Sequence, residues 1–175
     1  VKTGQDYETP LRLVETTVEI NDRRKRAMGR KVIAAMGGNV RGKTVGILGL
    51  TFKPNTDDMR DAPSLAIIQA LKDAGAEIRA FDPEGMNMAR TMIEGIEYCD
   101  DAYQVASGSD GLVLVTEWNA FRSLDLARLK AALNEPVFVD LRNVYRQREM
   151  EAAGFSYTSV GRPLAAESRE KADRK

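Results

Sequence analysis

The sequence predicts an α/β fold, a doubly wound parallel sheet preceded by a long helix. Three observations carry that prediction. Short apolar runs such as Val45-Gly-Ile-Leu48 and Leu112-Val-Leu-Val115 have the continuous character of strands covered on both faces, as in parallel sheets. Strand-like and helix-like stretches alternate from residue 44 to residue 160, the pattern of successive βα units. Ahead of them, residues 9–36 contain no proline after Pro10 and place Leu11, Val14, Val18, Met28, Val32 and Met36 at helical spacing.

In chain order, Thr9 and Pro10 make a plausible start for the long helix and Gly37-Gly38 a stop. At 1.5 Å per residue it runs to roughly 40 Å, more than a domain of the remaining size needs. Its polar middle, 21–26, predicts that it leaves the core. Strands follow at 44–50, 77–81, 96–98, 111–116, 137–141 and 155–160, and helices at 63–74, 86–93, 101–106, 124–133 and 146–153. The helix after the first strand reads as capped near Asp61 and Ser64 with Pro63 in its first turn. The segments divide as 1–37 helix, 38–161 sheet domain and 162–175 charged, aperiodic tail expected to be disordered.

Composition narrows the chemistry. The 175 residues are 43% hydrophobic, enough for one good core and an appendage. Lys plus Arg equals Asp plus Glu at 26 each, so no global charge draws the chain to nucleic acid or to an anionic membrane, and neither is expected as a partner. The sequence has no histidine, which closes off Ser-His-Asp triads, His-paired cysteines and imidazole metal ligands. The lone Cys99 has Asp100 and Asp101 beside it, neighbours that make it a poor nucleophile. No apolar run approaches a membrane span, and a cytoplasmic location is expected. Val1-Lys-Thr-Gly reads as the interior of a longer protein.

The informative loop is Thr51-Phe-Lys-Pro-Asn-Thr-Asp-Asp-Met-Arg60. It is long for a strand-to-helix connection, where about two to six residues is usual, and it leaves a strand at the carboxyl end, where open α/β sheets hold ligands. Lys53 and Arg60 suit phosphate, with neighbouring acids placed to orient Arg60. The same charges also fit a solvated loop in which Asp57, Asp58 and Arg60 pair with each other. Phe52 fits a cover over a base or sugar, or a plug into the core, the commoner fate of loop phenylalanines. Arg142, in Asp140-Leu-Arg-Asn143 at the end of a later strand, can reach the same edge as Lys53 or serve a neighbouring loop. Thr116-Glu-Trp118 and Asp82-Pro83 read as structural, the latter as a turn. Gly46-Ile-Leu-Gly49 lacks the third glycine and the immediate helix of a dinucleotide fingerprint. The basic cluster at 23–31 reads as a solvated or partner-facing helix surface.

The segment from Gly49 to Ser64 closely resembles the nucleotide-sugar 6-dehydrogenases, the UDP-glucose/GDP-mannose dehydrogenase family, and most of all its UDP-glucose branch. Asp82-Pro83, Thr116-Glu-Trp118 and Asp140-Leu-Arg-Asn143 match later family markers in order, so the likeness covers about 6–161. The resemblance implies an enzyme with an N-terminal NAD-binding Rossmann domain, a central helical dimer core and a C-terminal Rossmann-like domain for the UDP of the sugar nucleotide. This chain looks like the end of the second part and all of the third. The family oxidises a sugar C6 hydroxyl to a carboxylate in two NAD-linked steps, UDP-glucose to UDP-glucuronate, on a cysteine upstream of this helix, so no catalytic residue is implied here.

By resemblance, Phe52, Lys53 and Arg142 bind the sugar nucleotide and Arg60 reaches NAD. Leu141 stands where the commonest family form has glycine. A GDP-mannose or UDP-N-acetylhexosamine branch, and a non-catalytic dimerisation module built on the helix, are the alternatives.

Overall fold

The computed structural model describes Asp6 and residues 11–162. Thr9, Pro10 and the tail beyond Arg162 lie outside the described residues. Helix α1 spans Arg12–Ala35, about 36 Å at 1.5 Å per residue, and ends at Gly37 and Gly38 with φ of 89° and 84°. Only its last turns are buried, through Gly29 and Val32, with Met36 just beyond. Leu13, Val14, Val18 and Ile20 are exposed, so the helix leaves the core as its polar middle predicts.

Six strands follow: β1 Thr44–Leu48, β2 Glu77–Phe81, β3 Glu97–Tyr98, β4 Gly111–Leu114, β5 Val137–Asp140 and β6 Ser156–Ser159. All neighbours pair in parallel, in the order β3-β2-β1-β4-β5-β6. This is the doubly wound order of Rossmann-like folds, in which the chain reverses direction across the sheet between β1 and β4. Helices α2 Pro63–Asp73, α3 Met86–Met92, α4 Ala102–Ala106, α5 Leu126–Ala132 and α6 Gln147–Ala152 make the crossovers, and a 3-10 turn covers Asn119–Arg122.

Two apolar clusters lie against the sheet. One joins Val32 and Met36 of α1 to Ile67 and Leu71 of α2 and to Val45 and Ile47 of β1; the other joins Val105, Leu129 and Met150 to Leu112, Leu114 and Phe138. Every residue of β4 and β5 is buried, the acid Asp140 included, as the apolar runs at 112–115 and 137–139 lead one to expect. Gly46 sits in this packing: a Cβ there would meet Leu112 at 2.6 Å and Val105 at 2.7 Å, so glycine lets α4 close on β1.

The strands are shorter than the apolar runs imply. Gly49 turns out of β1 with φ 90°, and a Cβ on it would lie 2.5 Å from Thr116. The cap of α2 also differs from expectation. Ala62 holds the N-cap position without a side-chain cap, Pro63 opens the helix, and the buried Ser64 hydroxyl donates to the Leu50 carbonyl. Ser64 ties the helix to the end of β1 instead of capping it.

Candidate functional site at the carboxyl edge of the sheet

The connection from β1 to α2 is pinned at several points. Phe52 N donates to the Asp58 carbonyl at 2.8 Å, Asp58 N to Thr56 Oγ1 at 3.1 Å, and Asn55 and Asp61 take left-handed φ of 61° and 57°. The apolar plug is Met59, 1% exposed, whereas Phe52 is 48% exposed. The core-plug role open to Phe52 in the sequence thus falls to a methionine, which adapts to irregular gaps. Phe52 is left facing outward.

The loop hangs from a buried carboxylate. Asp82, at the end of β2, is 0% exposed. Its Oδ2 accepts from Leu50 N (2.7 Å), Thr51 N (3.1 Å), Thr51 Oγ1 (3.1 Å) and Trp118 Nε1 (3.1 Å). Its Oδ1 accepts from Glu84 N and Gly85 N at 3.0 and 2.7 Å. One side chain therefore joins the starts of the loops after β1, β2 and β4. The turn expected at Asp82-Pro83 is present at 83–85; what local sequence does not announce is that its acid, at a buried strand's carboxyl end, is enclosed and also serves the two neighbouring loops.

Arg60 pairs with Asp58 through Nε (3.0 Å) and Nη2 (2.9 Å) while remaining 88% exposed. That hydrogen bonding, with a smaller pull from Lys53, lowers the Asp58 carboxyl from 3.8 to about 2. The orienting acid is thus Asp58. Lys53 is exposed on the same loop.

After β5, Asp140 is fully buried and roots the next loop. It accepts from Arg142 N (2.9 Å), Tyr145 N (3.0 Å) and Tyr157 Oη (2.8 Å). The left-handed residue here is Asn143, φ 56°, and not Leu141, so a leucine at 141, where the resemblance led one to expect glycine, carries no backbone strain. Asn143 exchanges two hydrogen bonds with the backbone of Val160. The Arg142 guanidinium pairs with Glu117 through Nε–Oε2 at 2.5 Å and Nη2–Oε1 at 2.6 Å. That contact holds the Glu117 carboxyl below its usual range.

Phe52, Arg60, Leu141 and Arg142 line one open cleft of about 870 Å³, and Lys25 and Met28 of α1 line it as well. Lys53 lies outside that lining. The cleft thus gathers three of the four predicted site residues from two strand ends, and α1 supplies a wall that sequence reasoning did not foresee. Lys25 connects the sides, 3.7 Å from Asp22 and 3.8 Å from Asp61. Cys99 takes no part: it is buried in the cluster on the other face, and burial first, then Glu97, pushes its thiol up. Its adjacent Asp100 is a smaller influence than the sequence implied. Among the described residues no cluster of acids or cysteine could hold a metal.

The geometry is unsuited to a dinucleotide bound in the ordinary crevice. There the pyrophosphate meets a helix N-terminus directly after the first strand, and an acid at the end of the second strand takes the ribose. Here residues 49–62 separate β1 from α2, and the corresponding acid, Asp82, is enclosed and saturated by the chain's own donors. The chain is thus a Rossmann-like domain whose carboxyl edge carries long loops, with Arg60 and Arg142 lining an open cleft.

Known proteins fix the family. The UDP binding domain of the UDP-glucose/GDP-mannose dehydrogenase family matches residues 46–147, and the chain belongs to that family. A relative from Rhizobium meliloti (strain 1021), UDP-glucose 6-dehydrogenase, is 60% identical over 163 residues, covering 93% of this chain and 37% of the relative. UDP-glucose 6-dehydrogenase TuaD of Bacillus subtilis (strain 168) is 38% identical over 155 residues, 88% of this chain and 33% of its own length. The UDP-glucose dehydrogenase from the archaeon Pyrobaculum islandicum superposes with a TM-score of 0.71 at 27% identity, over 85% of this chain and 33% of that one. The chain thus spans about a third of the length of the relatives it matches.

Proposed function

We propose that this chain is the sugar-nucleotide-binding part of an NAD-dependent UDP-glucose 6-dehydrogenase, with UDP in the cleft between α1 and the carboxyl edge of the sheet. The observation that carries this reading is Arg142, held in that cleft by Glu117 and facing the same space as the outward Phe52. A guanidinium on a rigid strand end suits a diphosphate, and an exposed ring suits the uracil or its ribose. Lys53 adds a flexible cation from the loop that carries Phe52. The 60% identity to a UDP-glucose 6-dehydrogenase favours the glucose branch over GDP-mannose or UDP-N-acetylhexosamine relatives.

NAD fits this domain only at its rim. The enclosed Asp82 and the loop after β1 leave no standard dinucleotide crevice, so the cofactor's hydride chemistry belongs to another domain and Arg60 offers one cation to it. The chain alone should form no NADH from UDP-glucose and NAD. Exposed Leu13, Val14, Val18 and Ile20 on α1 support a homodimer through that helix; a single-chain mass by sedimentation would count against it.

Calorimetric titration with UDP tests the site. Arg142→Ala should weaken binding about five- to 150-fold, the loss of about 1 to 3 kcal/mol expected for charge-assisted contacts. Unchanged affinity would refute the assignment.

A further inference from the structure

Arg142 is fixed at both ends. Its backbone N–H donates to the buried Asp140 carboxylate at 2.9 Å, and its guanidinium meets Glu117 through Nε and Nη2. A guanidinium has five N–H donors in one plane. The Glu117 contact takes the side edge, one N–H from each of those nitrogens, and leaves the end edge, Nη1 with the remaining Nη2 hydrogen, as a second two-pronged surface. Arg142 lines the cleft with its side chain about one-third exposed, and its hydrogen bonds among the described residues run through N, Nε and Nη2, with none through Nη1.

We infer that Glu117 is a positioning residue: it holds the Arg142 side chain so that the free Nη1–Nη2 edge meets a phosphate of the nucleoside diphosphate. The inference rests on the reading that the cleft takes UDP. A long side chain ordered before the ligand arrives costs less affinity on binding than one ordered by it, and two parallel N–H donors match two phosphate oxygens. Glu117 also has an opposing effect, because its negative charge repels a diphosphate. The two effects respond differently to salt. The repulsion is screened as ionic strength rises, whereas the geometry of a held guanidinium persists.

The test is calorimetric titration of UDP into the chain at 0.1 and 0.5 M salt, two concentrations separated by a marked change in screening. The variants are Glu117→Ala, Glu117→Gln, Arg142→Ala and the double alanine, with thermal unfolding of each to show an intact fold. Glu117→Ala should weaken UDP binding about five-fold or more at both salts, a size set by the general cost of an unordered side chain. Glu117→Gln, which keeps an acceptor and the side-chain shape, should recover part of the loss. On the Arg142→Ala background the Glu117 change should have no further effect, since a residue acting only through Arg142 shows full coupling to it.

Equal or tighter binding by Glu117→Ala, with Arg142→Ala weakened, overturns the positioning role and leaves the UDP site standing. An equal Glu117 effect with and without Arg142 also overturns it, by showing independent action. An Arg142→Ala variant that binds like the parent overturns the UDP reading itself, and the inference with it.

Discussion

Replacing Asp82 with asparagine tests the idea that one buried carboxylate organises the ligand edge. Oδ2 accepts four hydrogen bonds and Oδ1 two, all from N–H or O–H donors. An asparagine must turn its NH2 toward one of the two groups. In the less damaging orientation the amide nitrogen faces Glu84 N and Gly85 N, and both lose their acceptor. At about 1.5–3 kcal/mol for each hydrogen bond to a charged group, two lost bonds cost about 3–6 kcal/mol. Relief of burying the charge offsets part of this, because no cation pairs with Asp82 among the described residues. A net loss of about 3 kcal/mol is expected, a large share of the 5–15 kcal/mol that folded domains possess.

For a domain of this size that corresponds to a fall in Tm of roughly 6–12 °C, read by circular dichroism. Trp118→Phe removes a single donor and leaves the carboxylate five others, so it should cost about half as much or less. The Trp118 ring is buried beside Asp82, so its fluorescence reports the same site directly. Asp82→Asn unfolding within about 0.5 kcal/mol of the parent, the scale of an ordinary surface change, would show that the carboxylate does not organise these loops.

Two further predictions concern the same edge. Gly49→Ala places a Cβ 2.5 Å from Thr116 at φ 90°; because the obstruction includes backbone, urea unfolding should show a loss of at least about 2 kcal/mol. Asp58 should titrate near 2 in the folded chain and return toward 3.8 in Arg60→Ala, as followed by carboxyl carbon NMR. The sign follows from the lowered value: the Arg60 contact favours the folded state above the unfolded carboxyl's ordinary range, and that contribution fades as pH falls from there through about 2.

Much of this architecture was legible in the residues. The apolar runs of β1, β4 and β5 announce strands covered on both faces. The helical spacing through Met36 announces α1, and the loop at 51–60 announces a candidate ligand edge by its length and charge. Those signals are local, and local spacing suffices to read them. The partners of each polar group were not legible, because they lie 25 to 36 positions apart: Glu117 with Arg142, and Asp82 with Trp118.

The outward face of Phe52 was equally hidden, since it depends on Met59 occupying the core position beneath the loop. An alternating parallel fold and a charged carboxyl edge could be read from local pattern, for periodicity and residue type fix which elements form and where polar loops emerge. Which acid serves which cation, the suspension of the loops from a buried aspartate, and the wall that α1 gives the cleft emerge in the folded chain alone. Packing alone brings residues distant in the chain to within hydrogen-bond range.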